Sequence, residues 1–379
     1  MKKVLFLAVL FIFSLSAFAY GGEYRTSPIR LSVLGAMSDQ DGSHWYYYAS
    51  LPPRVNRVIG LDFGLFASKI DILYGLQLSG VSSIKEEGTG IQLSMLYSYS
   101  ADIAGLQLSG GLTVNEKMRG LQIGAISSAS SDFRGIMFGG LFAVSGDNNS
   151  KILQMSAGAV YTGDFTGILF GGIFNYSKNM TGLQASAGFT IASRDVKGIQ
   201  IAGIGSFADE IKGIQAAVVA CYADEIKWVQ AAGLFSGAAS FTGIQIGGIA
   251  AYAGDESTGV QVTCGAGGGS VKGLSIVPIR LFAYQKKGNT GVVASVISFG
   301  GDYFGDDYMV KGVHLGGLNI GGGNIKGVQA GAINHATELN GLQIGFINYA
   351  KKLDGIQIGV VNIASNAKIK VLPLVNLKF

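Results

Sequence analysis

The side chains able to do chemistry are few in this sequence, and their spacing brings no set of them together. Three histidines stand at His44, His314 and His335, too scattered for a zinc site, whose ligands come in short paired spacings. Asp302, Asp306 and Asp307 lie in a Gly- and Tyr-rich stretch. They are read as an acidic loop, since the glycine-aspartate nonapeptide of calcium-binding β-rolls is absent. The pairs Asp209-Glu210 and Asp224-Glu225 have the composition of a glycosidase acid/base set. They recur in the same slot of adjacent repeats, each followed by a lysine, Lys212 or Lys227, so a solvated turn of alternating charge is the expectation. The run Gly265-Ala266-Gly267-Gly268-Gly269 lacks the Lys-Ser/Thr of a phosphate loop. Cys221 and Cys264 make an even count, but Cys221 has no histidine in its register to activate it. No catalytic, cofactor-binding or metal-ligating residue is assigned, and the chain is read as not an enzyme.

The elements that would position any such residues are repeats. Glycines recur every 15 residues from Gly60 through Gly75, Gly90, Gly105 and Gly120 to Gly135. The series continues to Gly273, with Ile152 and Trp228 in two vacant posts, and resumes at Gly312, Gly327, Gly341 and Gly355. That makes about nineteen units, fifteen before residue 276 and four after 311. With the glycine as zero, apolar residues fall at +1, +3 and +6, often +8, and again near +13. Gln occupies +2 in most units, for example Gln77, Gln92, Gln215 and Gln343, and small residues fill +4 and +5.

Spacings of two mean strands rather than helices. The step from +3 to +6 breaks the alternation, and a bend at the small residues restores it. The expected fold is therefore all-β, a parallel β-solenoid of roughly 15-residue coils. In that reading +1, +3, +6 and +8 face inward. Gln at +2 points outward and forms a ladder along the stack at a spacing of ~4.8 Å. Asn319, Asn334, Asn348 and Asn362 are expected to form a second ladder. The two cysteines lie three coils apart, or ~14 Å, beyond the ~7 Å a disulfide allows. Two unpaired, buried thiols follow.

An outer-membrane transmembrane β-barrel is the alternative architecture. Ten-residue strands with short turns match spans of ~9–11 residues, and the last nine residues, alternating up to Phe379, are similar to the assembly signal of outer-membrane barrel strands. The parity break in each unit and the uniformly short turns favour the solenoid.

Composition and the amino terminus bound the setting. Lys2 and Lys3, the apolar run Val4 to Leu15 and Ala17-Phe18-Ala19 have the form of a secretory signal peptide over residues 1–19. The chain is 48% hydrophobic and 14% charged, with 59 glycines, about twice the usual ~7%. Its formal charge of +4 is spread out, which argues against nucleic acid as a partner, and no small-molecule substrate is indicated. The organisation expected is a lead or cap at 20–59, a repeat array at 60–275, a non-repeat insertion at 276–311, a second array at 312–365 and a closing segment at 366–379.

The units Gly-Leu-Gln-Ile-Gly-Phe-Ile-Asn-Tyr-Ala at 341–350 and Gly-Ile-Gln-Ile-Gly-Val-Val-Asn-Ile-Ala at 355–364 resemble those of a bacterial family of surface repeat-containing proteins. The ending Leu372-Pro373-Leu374-Val375-Asn376-Leu377-Lys378-Phe379 and the segments Pro28–Ser32 and Gly60–Gly64 are similar to that family too. The likeness covers most of 60–379 and is specific in the carboxy-terminal units. Middle units depart from it, losing the Asn at +7. The resemblance implies a cell-surface or outer-membrane location and carries over no established activity. The expectation is an exported envelope protein with a structural, adhesive or interaction role, whose partners are outer-membrane or cell-surface components. An outer-membrane channel or transporter with Gln lining a lumen is the alternative.

Overall fold

The computed structural model describes residues 25–32, 50–52, 55–146, 150–282, 289–300, 309–320 and 323–379. The expected signal peptide, His44, the aromatic run Trp45–Tyr48 and the acidic stretch at 302–307 lie outside the described residues. The chain divides into two compact units, Met1–Ala187 and Gly188–Phe379, and each is a parallel β-solenoid.

The geometry of one coil is clearest at Gly205–Ala217 and Ala220–Ala232. Gly205 pairs with Ala220, Gln215 with Gln230 and Ala217 with Ala232, every partner 15 residues on. Each coil has three sides. Offsets +1 to +4 form the first and +7 to +10 the second, joined by a bend such as Val218–Val219. The third side, +12 to +14, follows an unpaired residue at +11, Asp209 in one coil and Asp224 in the next. It ends at the repeat glycine, where the chain turns with positive φ. Among the described residues eighteen glycines hold such a corner, joined by Ile152 at φ 100° and Trp228 at φ 117°. The need for glycine is steric. A Cβ on Gly213 would collide with the carbonyl oxygen of Gly198 one coil below, in a backbone region that side chains disfavour.

In residues 1–187 the stack begins with Thr26–Ser32, paired in parallel with the chain from Arg57 to Gly64, and runs to Asn179–Ser186 on Asp164–Gly171. In residues 188–379 it runs from Phe189–Ala202 to Ile333–Ala364. It is closed by Val371–Lys378, which lies antiparallel on Gly355–Ile363. Successive coils pair in parallel. A transmembrane barrel needs antiparallel neighbours, so that alternative is set aside.

Residues 276–311 are not the interruption that their irregular sequence suggests. Asn289–Gly300 pairs in parallel with the strand before it, Gly273 against Gly291, and with the strand after it, Gly291 against Gly312. Gly291 has the corner φ of 121°. The stretch contains a coil of its own, which its departures from the 15-residue spacing obscured.

The larger correction concerns which residues face inward. Gln at +2 is buried wherever it occurs, for instance Gln77, Gln92, Gln215, Gln230 and Gln343, each 0% exposed. The residues at +1, +3 and +6 face outward: Ile214 is 39% exposed, Ile246 42% and Ile249 51%. Position +8 does face inward in the 15-residue coils, but it carries Ser98, Thr113, Ser206 or Cys221 rather than a large apolar side chain. Small residues fill +4 and +10, as Ala217 and Ala223 do, and only +13 is regularly large and apolar inside, as in Ile103, Met118, Phe133 and Ile226.

Space explains the inversion. Three sides of three or four residues enclose a narrow interior, and five side chains per coil must share it. Large residues on every side would overpack it, so two sides turn their small or amide side chains inward and their Ile, Leu, Val and Phe outward. A buried amide is tolerable because the next coil supplies its partner.

Candidate interaction surface

Two ladders of buried amides form the interior polar system. Gln92 donates through Nε2 to Gln77 Oε1 at 3.0 Å and Gln107 to Gln92 at 2.9 Å. The series repeats with Gln215 on Gln200, Gln230 on Gln215, Gln245 on Gln230 and Gln261 on Gln245, at 2.9–3.2 Å. Each of these amides donates towards the amino terminus. The direction has a physical origin in residues 1–187. Gln77 donates to Asp62 Oδ2 at 2.9 Å, and a carboxylate only accepts, so the first amide must present its NH₂ to it. The Asp62 charge is matched by buried Arg30, whose Nε lies 2.8 Å from Oδ1. Arg30 also donates to the carbonyls of Val55 and Lys69 and to Ser68. At the carboxy end of the second unit, Asn376 donates to Gln357 Oε1 and closes that ladder. The expected Asn ladder forms as well, with Asn319, Asn334 and Asn348 each donating to the next at 2.7–2.9 Å. It runs opposite to the neighbouring Gln ladder, so the two rows of amide dipoles oppose each other.

His314 takes the Gln slot, is buried, and its Nε2 lies 2.9 Å from Ser298 Oγ. His335, expected near an inward slot, instead lies on the outer side and stacks on Tyr349 with ring centroids 4.9 Å apart. Cys221 is buried and its thiol pKa is pushed up to about 12 by desolvation, which disfavours a thiolate nucleophile. Cys264, expected to be buried, is exposed. It sits at the +5 bend, where the chain turns away from the interior. Both thiols are free.

The paired carboxylates are held as an ion-pair ladder. Lys227 Nζ lies 3.1 Å from Glu210 and 2.9 Å from Glu225, and Lys212 lies 2.9 Å from Glu210. Hydrogen bonds from Lys212 and Lys227 lower the Glu210 pKa, the opposite of what a proton-donating catalytic acid requires. In residues 1–187 a groove of about 250 Å³ on the same side is lined by Asp102, Lys117, Met118, Arg119, Asp132 and Arg134. There Arg119 pairs with Asp102 at 3.3 Å. Among the described residues, no three His, Cys, Asp or Glu side chains gather as metal ligands would.

What the molecule presents most extensively is its apolar exterior. The first side of most coils carries outward Ile, Leu, Val or Phe, and many bends and second sides add more, broken in places by small residues such as Gly110-Gly111 and Gly237. Exposure peaks at the bend, with Leu96 at 68%, Ile173 and Val218 at 67% and Phe346 at 69%. The third side is charged. Single exposed apolar residues are ordinary; contiguous columns of them mark an interaction surface. Among the described residues, each unit has one corner that lacks glycine, and its side chain is exposed beside that unit's own apolar sides. Ile152 is 58% exposed and Trp228 71%, although an L side chain at such φ costs about 1–2 kcal/mol.

The sequence displayed these columns, and hydrophobic-inside reasoning assigned them to the wrong face. The signal that could have found them is volume: small residues at +4 and +10 leave no other side to be the interior. Compared with protein-family models, curated proteins and solved structures, the chain matches none.

Proposed function

We propose that this chain is an exported, non-catalytic repeat protein of the bacterial envelope, and that its apolar outer sides are its working surface. The observation that carries the reading is the inversion itself. The interior is shared by amide ladders and the single apolar column at +13, while most of the large apolar side chains lie on the exterior, where much of their surface stays open to solvent. A parallel solenoid repeats one short interface at every coil, which suits a structural or adhesive role over a long contact. The amino-terminal sequence and the resemblance of the carboxy-terminal units support export and a surface setting. Among the described residues, the burial of Cys221 and the ion pairing of Glu210 and Glu225 support a non-catalytic role.

The channel reading draws no support from the interior. Successive Gln side chains bond to each other at 2.7–3.2 Å, so they fill the space that a lumen would occupy. The test is fractionation of expressing cells, followed by a carbonate or urea wash and SDS gels of unheated and boiled samples. The protein is expected in the envelope fraction. Recovery as a freely soluble monomer in the cytosol would overturn the proposal.

A further inference from the structure

We infer that the two apolar sides rest in one leaflet of a lipid bilayer, with the solenoid lying along the membrane surface and its charged side facing water. This rests on the envelope reading and names what covers the surface. The argument is taken within residues 188–379.

The borders of the apolar surface carry the argument. On one edge, at +9, stand Tyr222 and Tyr252, 45% and 52% exposed, the first of them two residues before Asp224. Tyr222 reaches across that edge, its hydroxyl donating to Asp224 at 3.1 Å. On the other edge stand Lys197, Lys212 and Lys227, each immediately before the corner residue, the last two ion-paired with Glu210 and Glu225 on the charged side. Tyr and Trp with one apolar and one polar end, and Lys with a long stem, are the side chains that settle at headgroup depth. Trp228 stands on that lysine edge, exposed, where other coils have glycine. An indole in a conformation unfavourable to it, placed at the boundary of an apolar face, has the position of an interfacial anchor.

The charged third side runs along the stack and excludes an axis along the bilayer normal, and dimensions set the depth. A four-residue side is about 13 Å long, against a hydrocarbon core of ~30 Å, so the wedge reaches within one leaflet. Shape decides between lipid and a second copy. The apolar sides meet at the +5/+6 bend, the most exposed column, and face different directions. One flat partner covers one of them, whereas fluid acyl chains cover both.

Native Cys264 lies at that bend, exposed, while Cys221 is buried with its thiol pushed up to about 12. One thiol therefore reports the deepest column without any substitution. The full chain, with Trp45→Phe so that Trp228 is the sole tryptophan, is diluted from detergent into phosphatidylethanolamine/phosphatidylglycerol vesicles and floated. The expected result is flotation, at least tenfold slower labelling of Cys264 by a membrane-impermeant maleimide, and Trp228 emission shifted to the blue. Brominated lipids should quench Trp228 more strongly from shallow than from deep acyl positions. Val218→Glu with Ile249→Glu should cut the floated fraction at least tenfold with the β-sheet circular dichroism unchanged. Glu225→Gln, on the charged side, should leave it within twofold.

Failure to float, with Cys264 and Trp228 open to aqueous reagents or buried in a discrete dimer, overturns the inference. If the double variant does not fold, the Cys264 and Trp228 readouts on the unsubstituted surface still decide it. Envelope residence without flotation would sink the lipid inference alone. Flotation of a protein that resides in the cytosol would sink the envelope reading alone.

Discussion

Replacing Gln230 by Ala should cost at least about 3 kcal/mol, a figure that follows from the partners it abandons. Its Nε2 donates to Gln215 Oε1 at 2.9 Å and to the Gly237 carbonyl at 2.8 Å. Its Oε1 accepts from Ser236 Oγ at 2.9 Å and from Gln245 Nε2 at 3.1 Å. Gln245 keeps its bond to the Tyr252 carbonyl at 2.7 Å and loses least. The Gln215 oxygen, the Ser236 hydroxyl and the Gly237 carbonyl lose the partner that Gln230 gave them. Each buried group left so costs about 1–3 kcal/mol, and the emptied volume adds a cavity term. Leucine should be milder than alanine because it fills the space, as Leu169 does at the same offset. Joining Gln230→Leu to Gln215→Leu should cost less than the sum of the single changes, with a coupling of about 1 kcal/mol.

The assay is equilibrium urea unfolding by far-UV circular dichroism, with hydrogen exchange read along residues 213–247. A stack of repeats opens locally, so protection should fall first in the coil that begins at Trp228. An outward Gln would behave as a surface residue, within about ±0.5 kcal/mol. A measured cost below about 1 kcal/mol for Gln230→Ala would therefore refute the inward ladder and with it the inverted interior.

Arg30→Met should destabilise the amino-terminal coils by about 3–5 kcal/mol, because it strands the Asp62 carboxylate, 0% exposed, without its cation; Asp62→Asn combined with it should recover part of the loss in urea titrations. A thiol reagent in native buffer should label Cys264 and spare Cys221, and the second thiol should react only when urea opens the coils, as mass spectrometry would report. Stability should also fall at both ends of the pH range. Lys212 and Lys227 lower the Glu210 pKa, so its contribution is complete above its ordinary value and is lost as pH falls through the lower folded value. Glu225 and Glu210 raise the Lys227 pKa, so its contribution is complete below its ordinary value and is lost as pH rises through the higher folded one. Glu210→Gln should flatten the acid limb of the melting temperature, and high salt should shrink both limbs, since these charges face water.

The local rules of this protein lie in its sequence. The 15-residue recurrence of glycine gives the length of a coil, although the small residues predict the bend at +4 and +5, and the corner at the glycine itself, with a third side before it, emerged only in the structure. Alternation at +1 to +4 identifies strands, and recurrent Gln and Asn identify ladders, since identical amides one coil apart satisfy each other. Both followed from period and residue type alone. Neither could say which face of a strand is inside, because alternation is symmetric and hydrophobic burial, the usual tie-breaker, points the wrong way here. Closure of three short sides decided it: a narrow interior admits Gln230, Ala217 and Cys221 and expels Ile214 and Val218. The same closure turned Cys264 outward at a bend and made the irregular stretch around Gly291 a coil, since its neighbours offered paired edges on both sides. Side-chain spacing is a property of the chain; the room available to a side chain belongs to the assembled coil, and it exists only once the sides have met.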